Sequence, residues 1–300
     1  MGRTTSRLSG VVKLNLPFKV ERVELAPLVF VPTYIAAIFL AAILAYGLFY
    51  EPEAIKEEVA NLKEDQSVAM EASSDDILDV SLDEDDLLFD GDVARMLPAM
   101  ADTYNQNNDT IGWLKIDDMV IDYPVMQTPE CEEYYLNRDF EGNSNSAGCL
   151  IMDTDSTVGT GTKANDYQDG TAPSTNLIIH GHNMKNGSMF GDLDKFRKQD
   201  FEKKHSIIKF TSLYEEREYE IIAVFLSQVF KKTETNKFKY YKFFEATNEE
   251  EFNDFYKNIK KLQLYDTKVK AEFGDEFITL SVCAYHVENG RFVVVGKRIK

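Results

Sequence analysis

Apolar residues are arranged along this chain in three regimes. Leu28 to Tyr50 is a run of 23 residues without a charge, long enough to cross a bilayer at about 1.5 Å of rise per residue. Arg3, Arg7, Lys13, Lys19 and Arg22 precede it, while Glu51 and Glu53 follow it. That asymmetry predicts a single transmembrane helix over 28–50, with residues 1–27 in the cytoplasm and the rest of the chain outside the cell. Glu51-Pro52-Glu53 offers no small-residue cleavage pattern, so the span reads as a retained anchor in the cell membrane rather than a signal peptide. Residues 51–92 lose the apolar pattern and read as an acidic extracellular linker, a solvated spacer of about 35–40 Å root-mean-square length. Leu87, Leu88 and Phe89 interrupt the acid, which raises the alternative that they dock on the folded domain as a lid.

From Val93 onward the pattern is that of a folded domain, expected over 93–300. Met96, Leu97, Met100 and Tyr104 recur at helical spacing and predict a helix over 93–105. Short apolar segments alternating with turns follow: 110–116, 119–126 (joined by Asp117-Asp118), 148–152, 176–180, 205–212 and 218–229 read as strands. Residues 131–137, 188–193 and 195–203 read as short helices. Residues 153–174 are rich in Gly, Thr, Asp and Ser and read as a long exposed loop. Phe252, Phe255, Tyr256 and Ile259 share one face of a helix over 248–262. The last segment is a hairpin: Phe277–Tyr285, a turn over His286–Gly290, then a second apolar run to Val295. Many short strands with few helices predict a mainly-β closed barrel, with the long helix placed before its last two strands.

Charge changes the picture only locally. The net charge is −18. Residues 51–92 hold sixteen acidic and two basic side chains, whereas 93–300 hold 33 acidic and 26 basic. The acidity therefore belongs mainly to the linker. No basic footprint of a nucleic-acid binder is present.

The reactive inventory is four histidines and three cysteines. Cys283 ends one strand of the hairpin and Arg291 opens the other, so the pairing sets a thiol beside a cation that favours the thiolate. His182 follows the end of the apolar segment Asn176–His180. Thiol, imidazole and guanidinium at one rim would suit acyl transfer: a nucleophile, a proton carrier and a donor aimed at developing negative charge. A metal reading, with His180, His182 and Cys283 as ligands, lacks any fitting ligand spacing, and no metal site is expected. His205 and His286 read as surface or packing residues.

Leu280-Ser281-Val282-Cys283, the Gly-Arg-Phe-Val-Val run at 290–294 and Gly181-His182-Asn183-Met184 resemble the sortases, membrane-anchored cysteine transpeptidases of Gram-positive bacteria. The resemblance spans about residues 100–300, with the motifs in the family's order. Ile111-Gly112-Trp113-Leu114, Tyr134-Tyr135-Leu136-Asn137, Lys185–Phe190 and the helix over 248–262 point to class B. The resemblance implies Cys283 as nucleophile, His182 rather than His180 as general acid and base, and Arg291 as holder of the substrate carbonyl and its oxyanion. It implies cleavage after Thr in a C-terminal sorting signal of a surface protein, then transfer to an amine of peptidoglycan or of a pilin subunit. It implies neither a metal nor an organic cofactor. Leu136, Ser281 and Val282 are candidates for the substrate groove, and 231–262 is expected to line it.

One position departs from the family: Val282 stands where Thr usually precedes the cysteine, and the lost hydroxyl would alter substrate preference if it contacts substrate. Loop 153–174 reads as a surface insertion, with a flank of the groove as the alternative. Cys131 and Cys149 lie where disulfides can form, but Cys149 sits in an apolar segment and reads as buried and reduced. Two other functions stay open: a Cys–His peptidase that mainly hydrolyses, and an inactive surface-anchored binding module.

Overall fold

The computed structural model describes residues 96–300 and Ala60. Among them no helix is long and apolar enough to cross a membrane. The span expected over 28–50 and the lid expected at Leu87–Phe89 lie outside the described residues.

The first helix, α1, is Pro98–Gln106. It begins later than the apolar spacing predicts. Leu97 is extended (φ −61°, ψ 129°) and Pro98 opens the helix, because a residue before proline is pushed out of the helical region while proline itself suits the first turn. Strands β1 (Thr110–Lys115) and β2 (Asp122–Met126) follow. The turn between them is longer than the Asp117-Asp118 pair expected. Asp118 takes φ +59° there, a conformation that Asp tolerates better than most residues. Of the helix expected over 131–137, only a 3-10 turn at Tyr134–Asn137 forms. Strands β3 (Leu150–Met152) and β4 (Asn176–Gly181) come next. A 3-10 segment at Gly191–Arg197 and a one-turn α2 (Gln199–Glu202) replace the two short helices predicted there. The chain is completed by β5 (Ile207–Ser212), β6 (Glu216–Gln228), α3 (Glu249–Leu262), β7 (Phe277–Cys283) and β8 (Gly290–Arg298).

The strands close into a barrel in the order β1-β2-β3-β4-β7-β8-β6-β5. Pairs β2–β3 and β4–β7 are parallel and the others antiparallel. Side chains alternate across each strand, so the barrel has an inner and an outer apolar face. Leu177, Ile179, Ile278, Leu280, Phe292 and Val294 pack inside. Phe225, Phe277, Val293 and Val295 point outward and are covered by Phe252, Phe255 and Ile259 of α3. The helix is set by local chemistry as well as its apolar stripe. Asn248 Oδ1 accepts from the Glu251 amide at 3.0 Å, capping a free amide of the first turn, while Glu251 Oε2 accepts from the Thr247 amide at 2.9 Å and ties the residue before the cap onto the helix.

Loop 153–174 is not the free exposed loop its composition suggests. Ser156, Val158 and Ser174 are buried. Gln127 Nε2 donates to the carbonyls of Asp153 and Ser156, and Arg217 Nη2 to that of Val158 at 2.7 Å. Away from its first residues the loop packs at the barrel end where β6 starts and β8 ends. There Arg298, with its side chain 1% exposed, pairs with Glu215 at 2.6 Å and Glu276 at 2.8 Å. Tyr167 of the loop donates to Glu276 and accepts from Arg298. Buried polar groups require such partners, which ties the loop down.

Candidate active site

The parallel pairing of β4 with β7 sets His180 opposite Ser281 and Gly181 opposite Val282. Both strands therefore end at one rim, and His182 follows directly. Strand β8 returns antiparallel with Arg291 opposite Cys283. Directly opposed residues point to the same face, with Cβ atoms about 4.5–5.5 Å apart. The hairpin pair Cys283 and Arg291 and the sequence-distant His182 thus line one cavity at one end of the barrel.

Alternation then decides which neighbours share their face. Val282 is 2% exposed and belongs to the inner core. Its side chain faces away from Cys283, which corrects its placement in the groove: a Thr hydroxyl there would also point inward. Ser281 and Cys283 lie on the outer face. A cavity of about 370 Å³ opens there, lined by Leu136, His182, Ser281, Cys283 and Arg291, with Glu132, Glu133 and His180 on one flank. Segment 231–262, expected to line this groove, contributes no residue to its lining. It acts from behind: the Tyr240 hydroxyl is 2.7 Å from Ser281 Oγ in a buried contact. Burial pushes the Tyr240 phenol up to about 12 despite that bond, so it is neutral and can donate.

The His182 ring is held by Nε2, 2.7 Å from the carbonyl oxygen of Leu136. A carbonyl can only accept, so Nε2 carries the proton and Nδ1 is left to take one. Asn183 Nδ2 donates to the Cys283 carbonyl at 2.8 Å and pins the end of β7 to the residues after β4. Arg291 Nη1 donates to the backbone carbonyls of Asn289 and Gly290, at 3.4 and 3.0 Å. It makes no ion pair with a carboxylate among the described residues, so donors remain for a substrate oxygen. Asn183 and Tyr240 were not singled out from the sequence. The first lies inside the histidine motif, where an amide beside an imidazole is a usable signal; nothing local marks the second.

None of the three cysteines is in a disulfide: Cys131 is exposed, Cys149 buried and Cys283 between the two. Cys149 Sγ lies 3.4 Å from the Arg138 carbonyl. His205 stacks on Phe201 at 4.3 Å between ring centres. The donors grouped closely enough to hold a cation, among the described residues, are not the set considered from sequence but Glu132, Asp153 and His180, within 4.8 Å of one another. His180 Nε2 is 3.4 Å from Asp153 Oδ2. Burial and then the Asp153 charge push the Glu132 carboxyl up, with His180 opposing them.

Gly181 separates the two histidines for a steric reason. A Cβ there would lie 2.6 Å from Leu150 Cδ2 and 2.7 Å from the Phe190 ring, and both neighbours are fully buried. Gly181→Ala is expected to cost about 1–3 kcal/mol by overpacking and to displace His182. A fall in Tm together with reduced kcat would show both effects; unchanged Tm and kcat would refute the packing argument.

Residues 114–299 match the sortase domain family. The chain is 34% identical to sortase B of Listeria monocytogenes over 202 residues, 67% of this chain and 74% of that protein. It is 30% identical to sortase B of Staphylococcus aureus over 196 residues, 65% of this chain and 72% of that one. A solved Staphylococcus aureus sortase B–substrate complex superposes with a TM-score of 0.61 at 25% identity, covering 82% of this chain and 97% of that one.

Proposed function

The chain belongs to the sortase family of cysteine transpeptidases, in class B, and from that premise we propose that it cleaves a C-terminal sorting signal after Thr and transfers the protein to an amine of peptidoglycan or a pilin subunit. The observation that carries the reading is the cross-strand pairing of Cys283 with Arg291 at the rim to which β4 delivers His182. In the proposed cycle the Cys283 thiolate attacks the Thr carbonyl carbon. Arg291 donates to the oxygen as it gains charge. The carbon–nitrogen bond breaks, and His182, protonated at Nδ1, gives that proton to the leaving amine. The thioacyl carbon is then attacked by the incoming amine, whose proton passes to Nδ1 as the carbon–sulfur bond breaks. Ser281 and the Leu136 wall shape the donor groove. No metal or organic cofactor enters these steps.

The same reading places the enzyme at the cell membrane, anchored by one helix over 28–50 with its N-terminus cytoplasmic and the catalytic domain outside. The charge-free run and its basic flank support it. The acidic linker would hold the domain off the membrane.

The full chain in detergent micelles, given quenched fluorescent pentapeptides of the Asn-Pro-x-Thr-x and Leu-Pro-x-Thr-x types, tests the chemistry. The expected result is cleavage after Thr, with product shifting from free acid to amide as a primary amine is added. Acid alone at saturating amine would make the enzyme a hydrolase, and no cleavage of any library member would overturn the reading.

A further inference from the structure

A second cavity, of about 490 Å³, opens where the end of β6, segment 230–238, the last turns of α3 and the β7–β8 loop meet. Its polar lining includes Ser227, Gln228, Asn236, Asn258 and His286 with the cations Lys237 and Lys261, and no carboxylate contributes to it. That is unusual in a domain where acidic side chains outnumber basic ones. Leu262 and Val287, both exposed, form part of its apolar wall. Neither Lys237 nor Lys261 has an ion-pair partner among the described residues, whereas the neighbouring Lys260 pairs with Asp266 at 3.6 Å. Favourable interaction with the C-terminal dipole of α3 would account for Lys261 alone. It does not account for a lysine, a histidine and a second lysine converging from three separate segments.

The sheet connects this cavity to the thiol. Ser227, on its wall, is opposite Arg291, and Arg291 is opposite Cys283. With strands about 4.8 Å apart, the wall at Ser227 stands about 10 Å from Cys283 across one intervening strand. All three residues share the outer face that carries Phe225 and Val293.

We propose that this cavity is the acceptor site: it binds an anionic group, carboxylate or phosphate, carried by the incoming amine substrate, and so holds the amine within reach of the thioester at Cys283. The inference rests on the transpeptidase reading above. In the step it serves, the amine nitrogen forms a bond to the thioester carbon, the carbon–sulfur bond breaks, sulfur leaves as thiolate and the amine proton goes to His182.

Acceptors of matched length test it on the full chain at saturating donor peptide. Glycylglycylglycine, about 10 Å when extended, is compared with its C-terminal amide, and 6-aminohexyl phosphate with 6-aminohexanol. The anionic member of at least one pair is expected to show an apparent KM about tenfold lower, the scale of one charge-assisted hydrogen bond; the pair that shows it distinguishes carboxylate from phosphate. In the double variant Lys237→Gln, Lys261→Gln that preference is lost, while donor hydrolysis without acceptor and transfer to the neutral amines stay unchanged. Equal KM within both pairs, or a preference that survives the double variant, overturns the acceptor site and leaves the transpeptidase reading standing. Acid product alone with every amine overturns both.

Discussion

Cys283→Ala is expected to abolish peptide cleavage and amine transfer alike, a loss of roughly 10⁴-fold or more, because removing a nucleophile removes the covalent route altogether. The same variant accumulates no covalent adduct with donor peptide by intact-protein mass. The other two cysteines provide the contrast. Cys131 is exposed and Cys149 buried. Cys149 also borders the cavity, but it lies beside the Arg138 carbonyl, and Arg291 is the cross-strand neighbour of Cys283. Cys131→Ser and Cys149→Ala are therefore expected to keep the adduct and the turnover. An adduct that survives Cys283→Ala and disappears with Cys149→Ala would move the nucleophile to the other side of the groove.

The largest expected loss of stability lies at the opposite end of the barrel. Arg298 sits between Glu215 and Glu276, and their side chains are only 12% and 13% exposed. Arg298→Met keeps much of the side-chain volume but removes the buried cation the two carboxylates share, leaving Glu215 with Arg217 at 2.9 Å and Glu276 with the more exposed Lys163 at 3.3 Å. Breaking a buried pair from one side costs about 3–5 kcal/mol when the charge is left uncompensated; with these partners retained the low end is expected, about 3 kcal/mol, a fall in Tm of roughly 6–12 °C for a domain of this size. Lys300→Met removes a cation from a more exposed pair with Glu216 and is expected to leave Tm almost unchanged.

The pH dependence follows the same contacts. Burial alone would raise the Glu276 carboxyl, but the bonds from Tyr167 and Arg298 outweigh it and hold the group below its usual value. A depressed carboxyl contributes stability that is fully present above the unfolded value of about 4.3 and is lost as pH falls through the folded value. Wild type is therefore expected to lose stability below about pH 4.5 partly through this group. In Arg298→Met that acid limb becomes shallower. A Tm–pH curve parallel to wild type would separate Glu276 from the effect.

Much of the site was legible in the residues because its chemistry is carried by uncommon side chains in short motifs. A thiol, an imidazole after a strand and an arginine opening the next strand mark Cys283, His182 and Arg291 with no fold in hand. Other features were less legible because they depend on which face a strand presents. Val282 and Cys283 are adjacent, yet one enters the barrel core and the other the groove. Tyr240 reaches Ser281 across 41 positions of sequence. The polar composition of 153–174 correctly signals a loop, but it cannot report that Arg217, Arg298 and Glu276 lie beneath it.

The strands and the long helix follow from sequence: short apolar runs bounded by turn residues make the strands, and the stripe of Phe252, Phe255 and Ile259 with its Asn248 cap makes α3. These preferences are local, each settled by a residue and neighbours a few positions away. Strand order is different in kind. The parallel contact of β4 with β7 joins segments about a hundred residues apart, and no local preference encodes it. It arises when the barrel closes and buries the inner faces of all eight strands together. That closure brings His182 to the rim of Cys283, turns Val282 inward and leaves Lys237, Lys261 and His286 around one cavity.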